Sequence, residues 1–288
     1  METNPLILLP KPQTLFQQRA DRFRQLAQTQ ASLAGYLRLM AELADIQHRL
    51  VGRFPQSPMP DSAGSTPPLA VSTWPRDPAW RAALRTIADR INPGADPLAA
   101  LCGQMLRATD ADIETWAEWL LAGELASLDP GIAPFVSAAL QAYWTDLAAR
   151  LDAGQIKLPE AGCLCPVCGA LPVASVLQTG AGVQGLRYLC CGWCATQWNR
   201  PRIQCIHCGS SREVAYVGSA GAGEMVKAEV CDACKTYVKR MNRETAPWLD
   251  PCADDLASLP LDLALAEAGY NRLGFNPLLI PGANVRQP

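Results

Sequence analysis

The residues of this chain best suited to chemistry are eight cysteines in four Cys-x-x-Cys pairs: Cys165 and Cys168, Cys191 and Cys194, Cys205 and Cys208, Cys231 and Cys234. One pair alone would serve a redox dithiol. Two pairs separated by 22 residues supply four soft thiolates, the set a tetrahedral metal ion requires, provided a folded hairpin brings them together. The second two pairs repeat the first two at an offset of 40 residues without slippage. The spacing therefore predicts two metal ions per chain, one bound by Cys165, Cys168, Cys191 and Cys194 and the other by Cys205, Cys208, Cys231 and Cys234.

The repeat extends beyond sulfur: Gly169 matches Gly209, Leu186 matches Val226, Arg187 matches Lys227 and Thr196 matches Thr236. Duplication of a whole structural unit explains this better than a coincidence of spacing. Glycine directly after the second cysteine of a pair suits a turn with positive φ whose backbone N–H groups face the sulfurs. Between its knuckles the first unit carries Val173, Val176 and Leu177, then Leu186 and Tyr188, and the second carries Val214, Tyr216 and Val217, then Val226. Each unit reads as two metal knuckles joined by a short β-hairpin.

Four cysteines stand outside the repeated set. Cys102 lies in an apolar helical stretch and reads as a small buried hydrophobe, while Cys252 follows Pro251 near a helix start. Cys163 and Cys190 each lie close enough to a ligand to compete with it, yet only Cys165 and Cys191 keep the 40-residue register. The two histidines, His48 on an expected helix and His207 inside the third pair, supply no acid–base constellation, and no phosphate loop or dinucleotide fingerprint occurs. His207 is expected to point outward from its knuckle. No enzyme activity is expected.

The elements that must position the cysteines divide the chain by cysteine density. Residues 1–162 form a helical domain, 163–200 the first metal domain, 201–243 the second, and 244–288 a C-terminal helix and tail. Phe16, Ala20, Phe23 and Ala27, then Leu33, Leu37, Met40 and Ala44, recur at helical steps, with Ser32 as a cap between them. Residues 55–78 hold seven prolines and should be irregular. Asp77-Pro78, Asp96-Pro97 and Asp129-Pro130 pair an N-capping carboxylate with a proline that loses nothing at the first helical position. Helices are expected over 78–91, 97–108, 110–121 and 130–151, and a C-terminal helix over 254–268 with Gly269 as its stop.

At 288 residues and 49% hydrophobic composition, the chain can bury a substantial core. The apolar run Leu6 to Leu9 is too short for a signal segment, and no run of about 18 apolar residues exists to span a membrane. A cytoplasmic location follows as the expectation, and a reducing compartment suits cysteines used as metal ligands. Nucleic-acid binding is the rival function. Residues 163–243 hold nine Lys or Arg against four Asp or Glu, and Arg200, Arg202 and Arg212 with Trp198 would form a basic, aromatic surface. Four thiolates around a divalent ion leave about −2 per site, which nearly cancels that excess. A protein partner is the better expectation, with no nucleic acid.

The segment from Cys165 to Gly169 (Cys-Pro-Val-Cys-Gly), Pro172-Val-Ala-Ser175, and Gly185-Leu-Arg-Tyr-Leu189 leading into Cys191-Gly-Trp-Cys194 resemble the formate dehydrogenase accessory protein family. Leu33-Ala-Gly-Tyr-Leu-Arg-Leu-Met40, Ala253-Asp-Asp-Leu-Ala-Ser-Leu259, Glu267-Ala-Gly-Tyr270 and Asn276-Pro277 extend the resemblance over nearly the whole chain. It implies a non-catalytic cytoplasmic factor that contacts the catalytic subunit of molybdenum- or tungsten-containing formate dehydrogenases, especially those exported by the twin-arginine route. It also implies rubredoxin-like iron sites, with the eight repeated cysteines as ligands. Spacing alone leaves zinc and iron open; iron follows from the resemblance. The expected fold is α plus small β: a helical N-terminal domain, two tandem rubredoxin-like or zinc-ribbon-like four-cysteine domains, and a C-terminal helix. Pro260 inside that helix and Cys190 directly before the second knuckle have no assigned place in the family pattern.

Overall fold

Apolar residues at steps of three and four drive the first helices, α1 (Pro12–Thr29) and α2 (Ala34–Leu50), into contact with each other. The computed structural model describes residues 4–56, 67–91, 96–159, 162–180, 182–218 and 225–279. Phe16, Ala20, Phe23, Leu37, Met40 and Ala44 all face the core. Ser32 does not cap α2. It sits in a 3₁₀ turn, Ala31–Leu33, that joins the two helices, and no side chain bonds the first N–H groups of α2.

Four further helices complete the N-terminal part of the described residues: α3 (Ala79–Arg90), α4 (Asp96–Arg107), α5 (Asp110–Ala122) and α6 (Ala133–Ala148). Asp77 and Asp129 act at the expected starts, accepting from Ala79 N at 2.9 Å and Gly131 N at 2.7 Å. The side chain of Asp96, the expected cap of α4, and part of the irregular stretch, residues 57–66, fall outside what is described. Residues 67–78 are turns and bends. Helix α6 starts later and ends earlier than expected and is buried along its whole length. A helix buried on every side belongs at the centre of a layer, and this one, through Gln141 and Thr145, becomes the floor on which the second knuckle of the first group rests.

The remaining residues build one sheet. In chain order its strands are β1 (Ile7–Leu8), β2 (Pro172–Gly180), β3 (Val183–Cys191), β4 (Gln197–Asn199), β5 (Val214–Val217), β6 (Val226–Cys231), β7 (Thr236–Asn242) and β8 (Asn271–Arg272). Their spatial order is β1-β4-β3-β2-β7-β6-β5, with β8 also on β7. Each repeat contributes an antiparallel hairpin plus a third strand emerging from its second knuckle, β4 in one unit and β7 in the other. The units join head to tail, because β2 pairs in parallel with β7 through Ser175↔Arg240 and Val176↔Met241. The corresponding edge of β4 is closed by β1, with Ile7 opposite Trp198.

The expected C-terminal helix is two helices, α7 (Ala253–Ala257) and α8 (Leu259–Glu267). Pro260 lacks an N–H and cannot continue the ladder. Ser258 breaks the run instead, and its carbonyl and hydroxyl receive Lys239 Nζ at 3.1 and 3.0 Å. Gly269 ends α8 at φ +83°, as a left-handed terminator should.

Candidate metal centres

Each knuckle begins with a tight backbone turn. Cys165 N donates to Ala170 O (2.8 Å) and Gly169 N to Cys165 O (2.9 Å); the second unit repeats this with Cys205 N to Ser210 O (2.8 Å) and Gly209 N to Cys205 O (3.0 Å). The residue after the second cysteine is left-handed in all four knuckles: Gly169 (φ +76°), Ala195 (+57°), Gly209 (+78°) and Lys235 (+54°).

These turns and the hairpins between them bring Cys165, Cys168, Cys191 and Cys194 together, and separately Cys205, Cys208, Cys231 and Cys234. Within each group all four sulfurs lie within 4.8 Å of one another. Cys165 Sγ is 3.6 Å from Cys194 Sγ and Cys168 Sγ 3.3 Å from Cys191 Sγ, while Cys205 to Cys234 and Cys208 to Cys231 are both 3.7 Å. An ion about 2.3 Å from each of four sulfurs at tetrahedral angles sets sulfur–sulfur edges of about 3.8 Å. Both groups could hold such an ion.

Polar groups around the sulfurs fit a thiolate set. Trp193 N and Cys194 N point at Cys191 Sγ, at 3.4 and 3.5 Å. The matched threonines place their hydroxyls at equivalent sulfurs, Thr196 Oγ1 3.2 Å from Cys194 Sγ and Thr236 Oγ1 3.0 Å from Cys234 Sγ. The Thr196/Thr236 match is visible in the sequence as part of the repeat, and the structure gives it this role. Burial pushes the Cys165 and Cys168 thiols well up. Burial also opposes ionisation of Cys191, but hydrogen bonds from the other three thiols and from Cys194 N bring it well below the ordinary thiol value. In the second group burial raises Cys231 to about 12. At Cys234 burial is outweighed by bonds from Thr236 and the neighbouring thiols, which lower it to about 7.

The two groups differ in surroundings. The helical part grips both knuckles of the first: Leu69 N donates to Val167 O (2.9 Å), Val71 N to Cys168 O (3.0 Å), and Gln141 Nε2 of α6 to Gly192 O (2.6 Å). All four of its cysteines are buried, whereas in the second group Cys208 is exposed and Cys234 half-buried. His207 is exposed, in line with its outward orientation.

Cys190 is not part of the first group. Adjacent residues of a strand point to opposite faces, so when Cys191 faces its partners Cys190 turns away, buried, with its thiol pushed up to about 12 by that burial. Cys163 is not in it either. It interacts electrostatically with Cys205 and Arg200, beside the second group. Cys102 and Cys252 are buried.

The basic, aromatic surface expected of Arg200, Arg202, Arg212 and Trp198 does not form. Trp198 is completely buried under β1, and Arg200 is buried as well. Arg187, Lys239 and Arg240 are also buried, Arg187 paired with Glu229 and Lys239 with Asp255, so much of the local positive charge never reaches solvent.

The family profiles described as FdhE N-terminal, FdhE central domain and FdhE C-terminal domain match residues 4–160, 164–202 and 203–279. The chain is 37% identical over 280 residues to a Protein FdhE homolog of Haemophilus influenzae, covering 96% of this chain and 92% of that protein. It is 38% identical over 286 residues to a Protein FdhE homolog of Stutzerimonas stutzeri, covering 96% and 93%. The crystal structure of the FdhE protein from Pseudomonas aeruginosa superposes with a TM-score of 0.86 at 34% identity, covering 97% of this chain and all of that one. With the helical part, the paired four-cysteine groups and the C-terminal helices all matched, the chain belongs to the FdhE family of formate dehydrogenase accessory proteins.

Proposed function

We propose that this protein is a cytoplasmic maturation factor that binds the catalytic subunit of formate dehydrogenase and holds one iron in each four-cysteine group. The observation that carries this reading is the pair of preformed four-cysteine groups within a chain that matches its family over 96% of its length. Bound iron would supply a one-electron redox centre, and Cys165, Cys168, Cys191, Cys194, Cys205, Cys208, Cys231 and Cys234 would be its ligands.

The protein's own residues hold these sulfurs in place and shield those of the first group. Thr196, Thr236 and the knuckle N–H groups stabilise thiolate charge, and α6 keeps water from the first site. On this reading the protein does no chemistry on formate itself. None of the described helices is long and apolar enough to cross a membrane.

Deleting the gene in the native host should abolish respiratory formate oxidation, while purified protein oxidises no formate. Affinity-tagged protein should co-purify with the catalytic subunit, and replacing Cys205 and Cys208 by serine should weaken that association, because small metal domains depend on their ion to fold. Normal formate oxidation in the deletion strain, with no dehydrogenase captured, would overturn the reading.

A further inference from the structure

Beside the second four-cysteine group lies a hollow of about 200 Å³ lined by Gly162, Arg200, Gln204, Cys205, His207 and Cys208, among others. Its wall includes Cys208, which is exposed, next to Cys205, which is buried. Arg200 contributes a buried guanidinium: the residue is 8% exposed, Nε donates to Gly162 O at 3.2 Å, and Nη2 has no hydrogen-bond partner. A buried N–H without an acceptor is costly, and a guanidinium is the group best suited to take a carboxylate or another small anion. A larger hollow, about 680 Å³, adjoins the first group and is lined by Cys191 with Arg19, Arg22 and Arg243 among others. There, however, Arg19 and Arg22 are paired with Asp250 and Asp254 and Arg243 Nε donates to Leu249 O, the four cysteines are no more than 3% exposed, and the knuckle carbonyls are held by α6 and residues 69–71.

We infer that the second four-cysteine site is an exchange site, where a small anionic thiol enters the hollow, pairs with Arg200 and displaces Cys208 from the metal, while the first site keeps its ion. This rests on the reading that each group holds a metal. The substitution is balanced without any redox change. A metal–sulfur bond to the incoming thiolate forms as the bond to Cys208 breaks, and the proton given up by the incoming thiol ends on the Cys208 sulfur. Repetition of the step at half-buried Cys234, and then at Cys205 and Cys231, frees the ion as a complex of the incoming thiolates, and the reverse sequence loads it. The hollow thereby gives a soft metal a route in and out without unfolding the helical part.

The test uses the full-length protein loaded with zinc, its content measured first and its release followed with a chromophoric chelator in the presence of mercaptoacetate or neutral 2-mercaptoethanol at matched thiolate concentration. One equivalent should leave in a fast phase and the other in a slow one, and the fast phase should vanish from Cys231→Ser/Cys234→Ser protein. Mercaptoacetate should accelerate the fast phase about tenfold over 2-mercaptoethanol, the worth of one charge-assisted hydrogen bond, and Arg200→Gln should erase that preference while leaving the slow phase unchanged. Iodoacetamide footprinting of the unsubstituted protein, which needs no variant to fold, should label Cys208 first among the eight ligands. A chain that holds two zinc ions but releases both at one rate, loses the first-site ion sooner, or shows no preference for the anionic thiol overturns the inference and leaves the metal-site reading intact. A chain that binds no metal defeats the metal-site reading itself.

Discussion

Ala195 and Lys235 occupy the left-handed region that glycine fills at the equivalent positions Gly169 and Gly209. A non-glycine residue there costs about 1–2 kcal/mol, and the knuckle geometry imposes it in both units. Lys235→Gly should therefore keep stability within about 1 kcal/mol of the parent, relief of strain being offset by unfolded-state entropy. Lys235→Val should lose about 1–2 kcal/mol more. Chemical denaturation of the metal-loaded protein measures both. Ligand chemistry gives a second prediction at this scale. Protein from an iron-replete native host should be coloured by thiolate-to-iron charge transfer and should bleach with dithionite, whereas zinc, being d¹⁰, absorbs no visible light. A colourless preparation with stoichiometric zinc would contradict the iron assignment.

Strand β7 is the element that fuses the two units, and its underside holds a buried charge cluster. Lys239 Nζ lies 3.3 Å from Asp255 and 2.5 Å from Asp262, and Arg272 reaches Asp255 at 2.6 Å. Burial opposes ionisation of Asp255, but Arg272 and Lys239 outweigh it and hold the carboxyl below its ordinary value. Asp255→Ala should cost about 3–5 kcal/mol in urea unfolding, because it leaves buried cations uncompensated. A carboxyl depressed in the folded state contributes stability that is present above its unfolded value near ~3.9 and lost as pH falls through the folded value. The acid-side slope of stability against pH should therefore be shallower in Asp255→Asn. An unchanged slope would show that the carboxylate titrates alike folded and unfolded.

The grouping of the cysteines was legible because four sulfurs around one ion tolerate little variation in spacing, and a 40-residue offset repeats it. The amphipathic helices were legible from their period. Strand β7 was not, since its parallel pairing with β2 joins residues about 65 positions apart in sequence, as in Ser175↔Arg240, and distant pairing leaves no local pattern. Strands β1 and β4 are two and three residues long, too short for alternation to register. Burial of Trp198 depends on β1 pairing along the sheet edge, and Arg200 is buried where Gly162, distant in sequence, accepts its Nε–H, so their side chains read as surface from composition alone.

At the scale of the molecule, the first site sits at the junction of three parts. Arg19 and Arg22 of α1 pair with Asp250 and Asp254 at 3.1 and 2.6 Å, fastening the helical part to the C-terminal segment. That segment returns across the first unit, where Arg272 Nη2 donates to Val173 O at 3.2 Å, and is tied to itself by Asn276 Nδ2 donating to Asp255 at 3.0 Å. A Cβ on Gly274 would lie 2.3 Å from Pro172 O, so only glycine fits the crossing. Loss of the first site should therefore disturb the whole chain, whereas loss of the second should remain local.

The central claim is that each repeat builds its own metal site, and native mass spectrometry of the intact chain beside its Cys205→Ser/Cys208→Ser variant tests it most directly. Two bound ions in the unsubstituted protein and one in a variant whose helical part stays folded are the predicted result. Loss of both ions together from the variant, or a single ion shared between the repeats of the unsubstituted chain, would contradict it.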